Sequence, residues 1–265
     1  MTPAELRDLA TEVAREAGAL LRDRPTALQT STKSTPTDAV TDMDRAAERL
    51  IVDRLRARRP DDLVVGEESG QHGRDGAGIV SWLVDPLDGT VNYLYGIPQY
   101  AVSIAARIDG DAIAGAVFDV MRDELYAASR DGGATCNGAL LRCSDQTDLG
   151  LSLVATGFAY AAETRRTQAA VLTTVLPAVR DIRRLGSAAL DLCMVASGRV
   201  DAYFEAGMQP WDWAAGALIA TEAGARVGGL GGRPPGSWTT LAANPALFAE
   251  LEALLVEAGD PSAAS

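Results

Sequence analysis

The sequence predicts an α+β half followed by an α/β half, and three observations predict it. Two segments with helical periodicity open the chain, a train of short apolar runs separated by turn residues follows from Leu63, and beyond about residue 148 strand-like and helix-like segments alternate. At 265 residues the chain suits one large domain or two fused lobes, with a core that needs no disulfide staples. Its 47% hydrophobic and 23% charged residues exclude a disordered chain and favour a folded enzyme or binding protein.

Thr2, Pro3 and Glu5 form a capping box with proline at the first helical position. Leu6, Leu9, Ala10, Val13, Ala17, Leu20 and Leu21 then repeat at helical spacing, so the first helix should end near Arg24. QTSTKSTPTDAVT, residues 29–41, is polar and contains Pro36, which predicts loop or extended chain. A second helix should start at Thr41 or Asp42 and bury Met43, Ala46, Ala47, Leu50, Ile51 and Leu55. The runs at 63–66, 79–84, 100–108, 112–120 and 124–128 read as consecutive strands, with Asp109-Gly110 as a hairpin turn. Further strands are expected at 151–156, 200–204 and 226–227, and helices at 163–179, 188–197, 213–223 and 246–258. The glycine-rich stretch 228–236 reads as a loop, and there is no internal repeat.

The formal charge is −12, and the only basic runs are RLRARR at 54–59 and RDIRR at 180–184, both read as solvated helix ends or loops. Direct nucleic-acid binding needs a basic stripe that these do not provide. An acidic chain that handles an anionic substrate must draw positive charge from elsewhere, and bound metal ions are the usual source. Cys136, Cys143 and Cys193 form no CxxC pair and read as reduced, buried thiols. The first residues carry charges throughout, and no run reaches the roughly 20 apolar residues of a membrane span, so a cytoplasmic protein is expected.

The most informative segment is WLVDPLDGTVN, residues 82–92. An apolar strand runs into Asp85, Pro86 should stop it, and Asp88-Gly89-Thr90 should form a tight turn that opens a helix. About twenty residues upstream a short strand ends in Glu67-Glu68-Ser69-Gly70, and downstream Asp212 stands at a predicted helix N-terminus. Carboxylates brought together repel one another unless a cation joins them, and oxygen donors suit magnesium, whereas zinc would want Cys or His. The single histidine, His72, falls in a polar stretch and reads as a solvent residue. Taken singly, each acid has an ordinary local reading as a turn or cap residue.

Taken together, GEESG at 66–70, WLVDPLDGTVNYLYGIP at 82–98 and WDWAAGALIATEAGARV at 211–227 resemble the signature blocks of the inositol monophosphatase family of magnesium-dependent, lithium-sensitive phosphomonoesterases. The resemblance extends through KSTPTDAVTDMD at 33–44, GATCNG at 133–138 and RRLGSAALDLCMVASGRVDAYFE at 183–205, in the expected order along nearly the whole chain. It implies a layered αβαβα sandwich of two fused lobes, akin to fructose-1,6-bisphosphatase. The first lobe, 1–147, would carry most metal ligands, and the second, 148–265, Asp212 and the contacts to the substrate ring.

The resemblance further implies two to three magnesium ions. Glu67, Asp85 and the carbonyl of Leu87 would hold the first, Asp85, Asp88 and Asp212 the second, and a looser third would lie near Glu67. Thr90 and Asp44 would orient a metal-activated water, with Glu67 assisting, and the backbone amides of Gly89 and Thr90 would take phosphate oxygens. Asp44 also reads as the first turn of the second helix, and Lys33 is either an exposed lysine or a neighbour of the metals. Glu68 is given no ligand role. Gly186, Ser187, Ala188 and Glu205 would meet the sugar-like alcohol, although Ser187 reads equally as a helix cap.

The substrate implied is myo-inositol monophosphate or a similar sugar or polyol phosphate. Related branches act on histidinol phosphate, fructose 1,6-bisphosphate or 3′-phosphoadenosine phosphate, and Glu205 after DAYF favours the inositol branch. A homodimer is implied as well. A reading of another class is a non-catalytic partner of a transcription complex, which the full set of acids argues against.

Overall fold

A computed structural model describes residues 1–33 and 35–263; Ser34 in the polar segment and the last two residues of the expected second lobe lie outside the described residues. The Thr2 capping box forms as the sequence dictates, with Glu5 N–H donating to Thr2 Oγ1 and Thr2 N–H to Glu5 Oε2. It starts α1 (Pro3–Arg22), two residues shorter than expected. The polar segment makes a small hairpin, β1 (Thr30–Thr32) with β2 (Ala39–Thr41), and Thr41 caps α2 (Asp42–Arg58). On α2, Ala46 and Leu50 are only half-buried, and the inward stripe instead includes Asp44 and Glu48.

An eight-stranded sheet follows: β3 (Leu63–Gly66), β4 (Gly70–His72), β5 (Ser81–Asp88), then, after the short helix α3 (Thr90–Tyr95), β6 (Ala101–Ile108), β7 (Asp111–Asp119), β8 (Glu124–Ser129), β9 (Ala134–Cys136) and β10 (Ala139–Leu140). Its order is β10-β9-β8-β7-β6-β5-β3-β4, antiparallel except for the β3/β5 pair. Asp109 and Gly110 both take positive φ, as a tight hairpin turn requires. His72 is in the edge strand β4 and half-buried, with Nε2 2.6 Å from Ser69 Oγ, so it is not a free solvent residue. Pro86 does not stop β5. Having no N–H for the ladder, it sits in a bulge, where Asp85 faces Ser103 and Asp88 faces Ala101.

The remaining elements are β11 (Leu153–Thr156), α4 (Ala162–Ala178), β12 (Asp181–Arg183), α5 (Ala188–Ala196), β13 (Ala202–Glu205), α6 (Pro210–Glu222), β14 (Arg226–Gly229), β15 (Thr240–Ala243) and α7 (Pro245–Glu257). Their five strands form a second sheet, order β12-β11-β13-β15-β14, in which β15 was not expected and Gly228 and Gly229 are strand rather than loop. The second basic run is partly an edge strand, and the first is paired with acids, Arg54 with Glu16, Arg58 with Glu12 and Arg59 with Asp62. Of the cysteines only Cys193 is buried, and Cys136 and Cys143 are half-buried.

Period-two alternation along the strands sorts the core into three clusters, and these define a layered αβαβα sandwich. Trp82 and Val84 of β5 point to α1 and α2, while Leu83 points to α5 and α6. In the second sheet Ala155, Tyr203 and Ala242 face α5 and α6, and Val154, Phe204 and Leu241 face α4 and α7. A helix covered by a sheet on each side must be apolar all round and slim. AALDLCMVA and PWDWAAGALIATE meet that demand, and Gly115 of β7 lets Ala215 approach so closely that an added Cβ would lie 3.1 Å from its Cα.

Beneath the first sheet, buried Asp62 accepts both Arg59 Nε and Nη2 at 2.7 Å and the indole N–H of fully buried Trp82 at 2.9 Å. Asp62→Ala leaves that indole donor and the guanidinium without their acceptor. It should lower the unfolding free energy by about 2–3 kcal/mol in urea titration; a loss within about 0.5 kcal/mol would show that water replaces the carboxylate.

Candidate active site

The bulge in β5 creates the site. On a regular strand, residues three apart point to opposite faces, but the extra residue between Asp85 and Asp88 lets both line one cavity of about 550 Å³. Glu67, just beyond β3, and Asp212, in the first turn of α6, line the same cavity. Each aspartate is held by a fixed donor. Leu87 N–H donates to Asp85 Oδ1 at 3.0 Å, Ser187 Oγ and Ala189 N–H to Asp88 Oδ2 at 2.6 and 2.8 Å, and Gln209 N–H to Asp212 Oδ2 at 2.7 Å. A carboxylate has about four lone-pair sites, so these bonds orient the groups without exhausting them.

Gly89 follows at φ +101°, with Gln99 O 2.8 Å from where a Cβ would stand, so only glycine fits the turn into α3. Thr90 then places its hydroxyl 2.9 Å from Asp44 Oδ1 and 3.0 Å from Leu87 O, donating to one at a time. Asp44 Oδ2 accepts Thr41 N–H at 2.9 Å and Thr41 Oγ1 at 2.5 Å. Asp44 thus closes the cap of α2 and also reaches Thr90, though it does not itself line the cavity.

Burial pushes the carboxyls of Asp85 and Asp212 well above the usual range, with Glu67 and Asp88 adding repulsion at both. Asp88 is pushed up to about 6 by burial, against its bonds from Ser187 and Ala189, and burial raises Asp44 despite its threonine donors. Burial disfavours the Lys33 charge, yet Glu67 at 2.8 Å and Glu68 hold its pKa above the ordinary lysine value. Lys33 thus stands beside the acids and not in open solvent. Glu68 does not line the cavity.

Gly186, Ser187, Ala188 and Glu205 line the same cavity. Ser187 both caps α5 and bonds Asp88. Glu205 ends β13 instead of following it, accepts Tyr203 Oη at 2.8 Å, and is pushed up to about 7 by burial. Gly157 makes room for it, since a Cβ there would fall 1.9 Å from Glu205 Oε2.

Three supporting residues escaped the sequence reading. Glu48 accepts the N–H groups of Glu68 and Ser69 at 2.8 and 2.7 Å and so shapes the loop after Glu67. An acid one turn after Asp44, on the stripe of Ala47, Ile51 and Leu55, was the available signal. Asn92 Nδ2 lies 2.8 Å from both Gln99 O and Leu185 O, tying α3 to the segment before α5. Asp191 interrupts an apolar run and is buried with Oδ1 unpartnered.

All the candidate donors around the cavity are oxygens, the chemistry of a hard divalent cation. Among the described residues no three His, Cys, Asp or Glu side chains are grouped so as to hold a metal ion among themselves. The acids ring an open cavity instead, which fits magnesium, an ion that keeps several waters and takes few carboxylates together with substrate phosphate.

Residues 2–259 match the model of the inositol monophosphatase family. The chain belongs to that family. It is 48% identical over 243 residues to inositol-1-monophosphatase SuhB of Mycobacterium tuberculosis, covering 85% of this chain and 84% of the relative. It is 44% identical over 225 residues to Nus factor SuhB of Escherichia coli, covering 83% of each. The solved inositol monophosphatase of Anabaena is 34% identical over 96% of both chains, with a TM-score of 0.84. Inositol monophosphatase family members are phosphatases and generally metal-dependent, which agrees with the donor set. No described helix is long and apolar enough to cross a membrane.

The raised carboxyls set a pH dependence of stability. Unfolded Asp and Glu titrate near 3.8 and 4.5, whereas Asp88 and Glu205 hold their protons up to about 6 and about 7 when folded. Groups with raised folded values stabilise the fold at low pH, and that stability is lost as pH rises through them. In chelator the urea midpoint should therefore fall between about pH 4 and about pH 7, and Glu205→Gln should remove the upper part of the fall. A midpoint flat across that range would refute it.

Proposed function

We propose that the chain is a magnesium-dependent phosphomonoesterase acting on myo-inositol monophosphate or a similar polyol phosphate. The observation that carries this reading is the gathering of Glu67, Asp85, Asp88, Thr90 and Asp212 around one cavity that Glu205 and the start of α5 also line, with Asp44 bonded to Thr90. Glu67, Asp85 and the Leu87 carbonyl would hold one cation, and Asp85, Asp88 and Asp212 a second. When bound, such ions supply Lewis-acid stabilisation of charge on the phosphoryl oxygens and the leaving alkoxide.

The protein supplies position. Asp44 accepts the Thr90 proton, which leaves the Thr90 oxygen lone pairs to receive a hydrogen bond from the attacking water. Backbone amides of Gly89 and Thr90 take phosphate oxygens at the start of α3. Glu205, fixed by Tyr203, accepts alcohol hydroxyls, and Gly186, Ser187 and Ala188 wall the ring. Residues 1–147 and 148–265 act as two lobes around the cavity, and the active form is a cytoplasmic homodimer on this reading.

A second reading has a specific basis in the relative named Nus factor SuhB, and it makes the chain a partner in a transcription complex. The test separates them. With magnesium the chain should release phosphate from myo-inositol 1-phosphate, Asp85→Asn should lower kcat by about 10²–10³-fold, and Thr90→Ala by about 10²-fold with Thr90→Ser recovering most of it. No turnover on that ester, histidinol phosphate, fructose 1,6-bisphosphate or 3′-phosphoadenosine phosphate would favour the partner role.

A further inference from the structure

Two basic side chains line the cavity, Lys33 and Arg184. Lys33 is committed to Glu67 and Glu68. The Arg184 guanidinium forms neither an ion pair nor a hydrogen bond among the described residues. Its side chain is exposed at the mouth of the cavity. It folds over Gly186, where its Nη1 lies 2.7 Å from the position of a Cβ, and its Cζ is 6.0 Å from the Phe158 ring centroid. Its charge acts on Glu205, Asp191 and Tyr160, so it stands on the alcohol side of the cavity.

A neutral polyol has no use for this group. Its hydroxyls can donate to Glu205, whereas a guanidinium carries five donors, accepts nothing, and gains most from a planar or tetrahedral oxyanion. The preceding residue, Arg183, is neutralised by Asp181, so the free charge is confined to the side chain that faces the cavity.

We propose that Arg184 is a specificity-determining residue that binds a second anionic group, a phosphate or a carboxylate, on the alcohol half of the substrate. The inference rests on the phosphomonoesterase reading above for which half of the substrate it meets. Phe158 lies beside the guanidinium, whose N–H groups are left free to meet an oxyanion in pairs.

Three matched esters test it: D-glucose 1-phosphate, D-glucuronate 1-phosphate and D-glucose 1,6-bisphosphate, which differ only at carbon six. Arg184→Met should lower kcat/KM for at least one charged ester, relative to glucose 1-phosphate, by about tenfold or more, chiefly through KM, and Arg184→Lys should recover part of it. Which charged ester responds tells phosphate from carboxylate. If Arg184 only offsets Glu205 and Asp191, the variant changes all three esters by one factor, and the inference falls while phosphatase activity stands. Calorimetric binding of the non-hydrolysable methylene-phosphonate analogues to the same proteins decides the matter without turnover. An Arg184-dependent preference for the charged analogues upholds the inference even if no ester is cleaved, in which case the phosphomonoesterase reading fails alone. Equal affinity changes overturn the inference.

Discussion

Mutual repulsion among Asp85, Asp88, Asp212 and Glu67 is the constraint around which the fold is arranged. Left to relax, such groups would turn to solvent or protonate. Three of them cannot turn away, because each is fastened by donors belonging to a different element: Asp85 by its own turn, Asp88 by the first turn of α5, and Asp212 by the residue that starts α6. The bonds to Asp88 and Asp212 come from helix N-termini, where free N–H groups and the helix dipole favour negative charge. Local structure thus offsets part of the repulsion while keeping the oxygens available to the cavity.

The central helical layer makes this possible. Helices α5 and α6 fit between two sheets only because they are rich in Ala and Gly where the sheets approach, as at Ala215 over Gly115. That slim layer brings the first turns of both helices to the bulge of β5. Larger residues there would spread the sheets and pull Ser187 and Asp212 away from Asp88 and Asp85. The packing of small apolar residues far from any polar chemistry is in this sense what sets the geometry of the acids.

Much of this was legible in the sequence, for identifiable reasons. The capping boxes at Thr2 and Thr41, the hairpin at Asp109-Gly110 and the apolar runs of β5 to β8 are local signals, and they formed where local chemistry placed them. Short elements held by pairing alone were not legible: β4, β9 and β10 lack the length for a periodic signal, and tertiary contact decides them. Pro86 shows a rule meeting its exception, since a bulge is the place in a sheet where a missing N–H costs nothing. In the site, the motif acids could be named from resemblance, but Glu48, Asn92 and Asp191 bear on it through bonds or burial that only folding reveals.

Asp44 shows how stability and chemistry are joined in the same atoms. One of its oxygens closes the cap of α2 through Thr41, and the other meets Thr90, so the helix that covers the first sheet is anchored by a residue at the site. A change at Asp44 must therefore disturb both, and a loss of activity there cannot be divided into capping and positioning by kinetics alone. Thr41 separates the two roles. Replacing it by alanine removes a cap bond and a donor to Asp44 but leaves Thr90 and its carboxylate partner in place, so the fold should weaken more than the chemistry does. The buried acids make the same point on a larger scale: they destabilise the folded chain, and the three apolar clusters offset them, which is the usual relation between an active site and the scaffold that carries it.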